Sequence, residues 1–178
     1  MATLLIARHG ETDWNREGRW QGWADPPLND TGRAQARRLA EELRDLPFDA
    51  AYSSDLRRAR ETAEIVAAPH GVPVIEDPGL REIDIGSWSG LTRSEIQERF
   101  PAGSRPDGET HEQHAARTRE AVQRIARQNE GRRVLVVGHG GTIRSIHDLI
   151  SEEPYHPVPN CAVLEVHFRE DRLAAPIE

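Results

Sequence analysis

The stretch Leu4-Leu-Ile-Ala-Arg-His-Gly-Glu-Thr-Asp-Trp-Asn15 runs four apolar residues straight into an arginine, a histidine and a glycine. An apolar run this short, closed by a glycine, predicts a strand over Thr3–Ala7 that is buried on both faces, as strands of parallel sheets are. Val134–Val137 repeats the pattern and ends at Gly138-His-Gly-Gly141. Each strand delivers a histidine to its carboxyl end, where open α/β sheets bind their ligands. The glycine after each histidine lets the backbone turn sharply and approach a ligand closely. Within a regular strand Arg8 and His9 would point to opposite faces, so they serve one site only if the strand has ended by Arg8.

Helical patterns alternate with the strands. Asn29-Asp-Thr-Gly predicts a capped helix with Ala36, Leu39, Ala40 and Leu43 on one face. Ala50–Ser53 reads as a further strand, and Ser53-Ser-Asp55 as the cap of a helix carrying Ala59, Thr62, Ala63 and Val66. His70-Gly-Val-Pro and Glu76-Asp-Pro-Gly are loop punctuation around Val74-Ile75. Thr92-x-x-Glu95 and Thr110-x-x-Gln113 are capping boxes, with the Pro- and Gly-rich stretch 101–108 as a loop between their helices. Ala115, Val122, Ile125 and Ala126 face inward on the second of these, and another helix starts at Thr142. Ala162–Phe168 alternates as a half-buried edge strand, able to pair with a second copy into a homodimer or to stay solvated. The β-α-β-α order, without a linker or repeat, predicts one α/β domain over residues 1–178.

A net charge of −7 argues against a general nucleic-acid binder, which needs excess cations to neutralise phosphates. All 23 basic residues are arginine, so every cation is a planar fork donor that keeps its charge at any working pH. Cys161 is the only cysteine, which excludes an internal disulfide and a multi-cysteine metal site. The N-terminus lacks a basic leader segment and its apolar run is too short to span a bilayer, so a cytoplasmic protein without membrane partners is expected.

Arg57, Arg58 and Arg60 lie in the first turns of a helix, where the partial positive charge disfavours cations by a few tenths to about one kcal/mol each. A phosphate bound there would reverse the sign. The residues thus suggest a phosphate pocket from Arg8, one of these three arginines, His9 and His139, with the Gly140-Gly141 amides as further donors. Phosphoryl transfer also needs a nucleophile and an acid for the leaving oxygen. A neutral imidazole whose second nitrogen is held can be the nucleophile. The acid should be a carboxyl group of raised pKa, and Glu82 and Asp84 in Leu80-Arg-Glu-Ile-Asp-Ile-Gly-Ser-Trp88 are equal candidates on spacing alone. His111-Glu-Gln-His114 has its histidines three apart rather than four and reads as a solvated helix face. No P-loop motif occurs. Trp14, Trp20 and Trp23, in a polar loop, could shape a substrate mouth; Trp88 reads as core or pocket wall.

Together these motifs resemble the histidine phosphatase superfamily, in its phosphoglycerate mutase-like branch. Arg8-His-Gly-Glu-Thr-x-Trp-Asn15 and Trp20-Gln-Gly-Trp-x-Asp-x-Pro-Leu28 match its first two segments. Ser53-Ser-Asp-Leu-x-Arg58-Ala-x-x-Thr62-Ala, Leu80-Arg-Glu82-Ile-x-x-Gly-x-Trp-x-Gly90 and Gly138-His139-Gly-Gly follow in order. The resemblance implies a three-layer α/β/α fold with a mostly parallel central sheet and one antiparallel edge strand. It implies His9 as the nucleophile that becomes phosphohistidine and Glu82, rather than Asp84, as proton donor. Arg8, Arg58 and His139 would clamp the phosphate, and Asn15, Gln21, Gly22 and Gly140 match positions that contact phosphate or substrate. It implies no metal and no organic cofactor. Cofactor-dependent mutases of the family carry longer insertions before the second histidine and read His-Gly-Asn, whereas here 56 residues separate Glu82 from His139 and residue 141 is glycine. The expected activity is therefore phosphomonoester hydrolysis on a small phosphorylated metabolite: a sugar phosphate, a phosphoglycerate derivative or a nucleotide-like phosphate. A mutase and a degenerate phospholigand-binding module are the alternatives.

Overall fold

In the computed structural model, which describes residues 1–176, β1 (Ala2–Arg8) lies inside a six-stranded sheet. Its apolar run has a direct cause: Leu4 and Ile6 face one core cluster, Leu5 and Ala7 the other, and all four are buried. The strand extends one residue past the predicted Thr3–Ala7 at each end. It closes at Arg8, leaving His9 outside it.

A single turn, α1 (Asp13–Arg16), follows, boxed by Thr12 and Asn15. Next, α2 (Asp30–Glu42) starts on the predicted cap, with Asn29 accepting from the Gly32 amide. Then come β2 (Ala50–Ser53), α3 (Arg57–Ala67) and β3 (Val74–Glu76), a short strand between the two punctuating loops. The predicted threonine boxes open α4 (Arg93–Arg99) and α5 (His111–Gln128). After β4 (Arg133–Gly138), α6 (Gly140–Ile150) leads to β5 (Val163–Arg169) and β6 (Arg172–Ala174).

The strand order is β3-β2-β4-β1-β5-β6, and the first four run parallel. Helices α2 and α3 cover one face of the sheet, α5 and α6 the other, giving the expected three layers. Two expectations need correction. The antiparallel strand is not an edge: β5 lies between β1 and β6, and β6 turns back on it through a hairpin. The helix cap of α3 is not Ser53-Ser-Asp55 either. Leu56 stands at that position without a side-chain cap, and Asp25, reaching over from a distant loop, accepts from the Arg57 amide at 2.7 Å.

Register positions the site. Arg8 pairs with Gly138 across β1 and β4, so the next residue of each strand, His9 and His139, leaves the sheet beside the other. The His9 amide still donates to the Gly138 carbonyl at 3.0 Å.

Candidate active site

A cavity of about 750 Å³ opens at the carboxyl ends of the parallel strands, with Arg8 and His9 in its wall. Gly10 lets them stay there, though not by turning sharply. Its φ is not in the left-handed region, but a Cβ on it would lie 2.5 Å from the Gly32 carbonyl oxygen, so the start of α2 could not pack this close. The Gly10 amide donates to Thr62 Oγ1 at 3.0 Å, tying the chain after β1 to α3.

His9 is buried, with Nδ1 2.6 Å from the Gly10 carbonyl oxygen. A carbonyl only accepts, so Nδ1 carries the hydrogen and Nε2 keeps its lone pair. Burial drives the His9 pKa well below the ordinary 6.5, and the charges of Arg58 and Arg8 push the same way against the opposing Gly10 carbonyl. The ring is neutral at physiological pH.

Of the three helix arginines the structure brings one to the site. Arg58 is 1 % exposed; its Nη1 and Nη2 donate to the Ala24 and Gly22 carbonyls at 2.7 and 2.8 Å, while its buried Nε has no protein partner. Burial lowers its pKa to about 10, which leaves it charged at neutral pH. Arg57 is exposed, and Arg60 faces Glu64 and Glu76, so neither is brought to the site. Arg8 donates from Nη1 to the Val158 carbonyl at 2.6 Å, and its buried Nε is also unpartnered.

His139 is fully buried beneath the cavity, its ring centroid 5.2 Å from that of His9 at an interplanar angle of 61°. Neither ring nitrogen has a protein partner. Burial, then the charge of Arg58, holds its pKa well below 6.5.

Glu82 and Asp84, inseparable on spacing, are separated by the fold. Glu82 faces the cavity, its Oε1 accepting from the Ile83 amide at 2.9 Å and its Oε2 from the Gly141 amide at 3.2 Å. Asp84 turns away and accepts from the Gly86 amide at 2.9 Å. The Gly141 amide, expected as an anion donor, is therefore occupied by Glu82. The Glu82 carbonyl is fixed from two sides, by Trp23 Nε1 at 2.8 Å and Arg117 Nη2 at 3.3 Å. Arg117 in turn is held by Glu109.

Asn15, Gln21, Gly22 and Gly140 all line the cavity. Thr12 organises the first two, donating from its amide to Asn15 Oδ1 at 3.1 Å and from Oγ1 to Gln21 Oε1 at 2.9 Å. The side-chain NH₂ groups of both have no protein partner among the described residues. Of the tryptophans, Trp20 lines the cavity mouth and meets Trp88 edge-on at 5.9 Å. Trp14 and Trp23 do not line it.

Four residues support the site in roles the sequence does not assign to them: Thr62 and Asp25, which lie within the quoted motifs, and Asn160 and His114. Asn160 donates from Nδ2 to the His9 carbonyl at 2.9 Å. The His111-x-x-His114 segment is not a solvated face throughout, because His114 is buried against Glu82. Its spacing to Thr118, Val122 and Ile125 on the buried stripe of α5 was the available signal.

Two neighbouring histidines thus stand with the buried Arg58, the half-buried Arg8 and a carboxylate at one end of the sheet. The model of the histidine phosphatase superfamily (branch 1) matches residues 4–175. The chain belongs to this superfamily. A metal-independent phosphoserine phosphatase from Arabidopsis thaliana is 38 % identical over 185 residues, covering 95 % of this chain and 77 % of the relative. Among solved structures, Bacillus stearothermophilus YhfR superposes with a TM-score of 0.89 at 34 % identity, covering 100 % of this chain and 96 % of that one. A mycobacterial glucosyl-3-phosphoglycerate phosphatase in complex with VO3 gives 0.85 at 30 % identity, covering 98 % and 99 %. Relatives named as phosphoglycerate mutases match as well. Among the described residues no helix is long and apolar enough to cross a membrane.

Proposed function

We propose that this histidine phosphatase hydrolyses phosphomonoesters of small metabolites without a metal, through a phosphohistidine on His9. One observation carries the reading: four buried nitrogens around His9 lack protein partners, namely Arg8 Nε, Arg58 Nε and both ring nitrogens of His139. Buried polar groups are satisfied in native proteins, so a set left open at one site marks where a ligand belongs: the two guanidinium Nε–H groups and the one N–H of neutral His139 can donate to its oxygens. A phosphoryl group offers several such oxygens and the charge to match two guanidinium groups.

In this reaction Nε2 of His9 attacks phosphorus as the bond to the leaving oxygen breaks. Arg8, Arg58 and His139 hold the equatorial oxygens, supplying the charge stabilisation on which phosphoryl transfer depends. Glu82 gives a proton to the leaving oxygen and becomes the base for the second half. A water attacks phosphorus, its proton passes to Glu82, and the Nε2–phosphorus bond breaks to release phosphate. Asn15, Gln21, Gly22 and Gly140 complete the substrate contacts, and the names of the relatives support a phosphorylated amino acid, phosphoglycerate derivative or sugar phosphate as substrate. The whole chain acts as one catalytic domain in this reading.

The test is hydrolysis of p-nitrophenyl phosphate in the presence of EDTA. Wild-type protein turns over, and His9→Ala loses activity by at least about 10³-fold, as removal of a covalent nucleophile does. Retention of activity in that variant, or a requirement for added metal, overturns the mechanism. In the same preparation, 3-phosphoglycerate with 2,3-bisphosphoglycerate shows no efficient isomerisation; fast isomerisation would make the chain a mutase instead.

A further inference from the structure

Among the described buried ionisable side chains at the cavity, His114 alone has no part in the reaction above. Its residue is 3 % exposed, and its side-chain contacts are long: Nε2 is 3.3 Å from Thr118 Oγ1, and Nδ1 is 3.5 Å from Ser145 Oγ, with the Arg81 backbone also facing the ring. The acidic group nearest its ring is Glu82, with Nε2 3.8 Å from Oε1.

Gly141 makes this meeting possible. A Cβ there would lie 2.1 Å from Glu82 Oε1 and 2.8 Å from His114 Cε1, so the two side chains fill the space a residue with a side chain would take. Glycine at 141 and the Glu82–His114 contact therefore belong together. The other titratable or charged groups facing His114 are Arg117 on its own helix, Glu109 ahead of that helix, and the neutral His139 at the end of β4. Arg117 and Glu109 neutralise each other at 2.6 Å. Burial lowers the His114 pKa and Glu82 is the largest influence raising it.

We propose that His114 is a positioning residue for Glu82: the two side chains share one proton, and His114 sets the pH range over which Glu82 delivers it to the leaving oxygen. The proposal rests on Glu82 being the proton donor of the reaction above. A proton with two places to sit is held to higher pH than by either group alone. It leaves Glu82 for the leaving oxygen as the phosphorus–oxygen bond breaks and the His9–phosphorus bond forms. The hydrolytic water returns one proton to the pair in the second half, so the cycle balances.

The test compares His114→Gln with wild type on two esters, reading kcat/KM against pH. A simple alkyl phosphate needs its leaving oxygen protonated, whereas p-nitrophenolate leaves without help. For the alkyl ester the variant's alkaline decline moves to lower pH, and kcat/KM at neutral pH falls by about tenfold, part of what a general acid supplies. For p-nitrophenyl phosphate the fall is no more than about twofold, since little depends there on the acid. Equal losses on both esters assign His114 a structural role only and overturn the proposal, as does an unchanged alkaline limb. An independent measurement covers a variant that does not fold. NMR titration of histidine-labelled protein shows the His114 resonance moving its midpoint in Glu82→Gln; an unmoved midpoint overturns the shared proton. If Glu82→Gln itself hydrolyses the alkyl ester normally, the underlying reaction fails first and the outcome is distinguishable.

Discussion

Arg58 ties down a loop with two of its nitrogens and keeps the third for the site. Nη1 and Nη2 hold the carbonyls of Ala24 and Gly22, and Nε is left without a partner at the cavity. A lysine supplies one ammonium and cannot do both jobs. Arg58→Lys is therefore expected to lower kcat/KM for p-nitrophenyl phosphate by about 10- to 100-fold, the loss of one or two charge-assisted hydrogen bonds. Wild-type kcat/KM in that variant would show that the charge alone matters and the fork does not. Individual residues were the most legible part of this chain. Arg8, His9, Arg58, Glu82 and His139 each sit in a motif whose residue types already imply phosphate chemistry. His114 was missed because a histidine beside another histidine at the wrong metal spacing suggested solvent, although its place on the stripe Thr118-Val122-Ile125 pointed inward.

Helix starts divide into those a local signal writes and those a distant residue completes. Asn29, Thr92 and Thr110 cap their own helices through residues three positions on, and the sequence showed each of them. The start of α3 is different, because Asp25 comes from 32 residues away and nothing local announces it. Ser54 Oγ accepts from the Leu56 amide, and Asp55 is turned to Arg81, so the polar cluster that looked like a cap has other partners. Asp25→Ala removes the side-chain acceptor of the Arg57 amide at this helix end. It should cost about 1 kcal/mol of stability, the usual value of a lost cap, read as a shift in urea midpoint. Catalytic efficiency should fall as well, since the same loop carries the carbonyls that orient Arg58. A midpoint within error of wild type would deny Asp25 the capping role. The β5–β6 hairpin escaped for a related reason. Its turn puts Glu170 and Asp171 at φ of 51° and 61°, a conformation that usually advertises itself with Asn-Gly, and Arg169-Glu-Asp-Arg172 carries no such signal.

Strand neighbours, unlike strand existence, leave no trace in a single sequence, and the site depends on them. Alternating apolar runs announced a parallel sheet between helices, but only the order β2-β4-β1 brings His9, His139 and Arg58 to one end of it. That convergence buries three histidines together, and the whole fold bears the consequence. The pKa values of His9 and His139 lie well below the 6.5 of an unfolded chain, and that of His114 is lowered too, in each case chiefly by burial. Below about pH 6.5 the unfolded chain takes up protons that the folded one refuses, so acid favours unfolding. This contribution to stability is complete above that pH and is lost progressively beneath it. His9 and His139 each add up to about 1.4 kcal/mol per pH unit to the slope and together approach about 3, while His114, whose proton is shared with Glu82, adds little in this window. The carboxylates held low by hydrogen bonds and arginines, Asp55 among them, titrate in the unfolded chain only near pH 4, so their loss follows in a separate, more acid window. Urea midpoints measured from pH 8 to pH 5 should therefore be level down to about pH 6.5 and fall steeply below it. His139→Gln should remove one proton's worth of the slope. A midpoint that stays level to pH 5 would mean the buried imidazoles are protonated in the folded protein, and that His9 has no lone pair with which to attack.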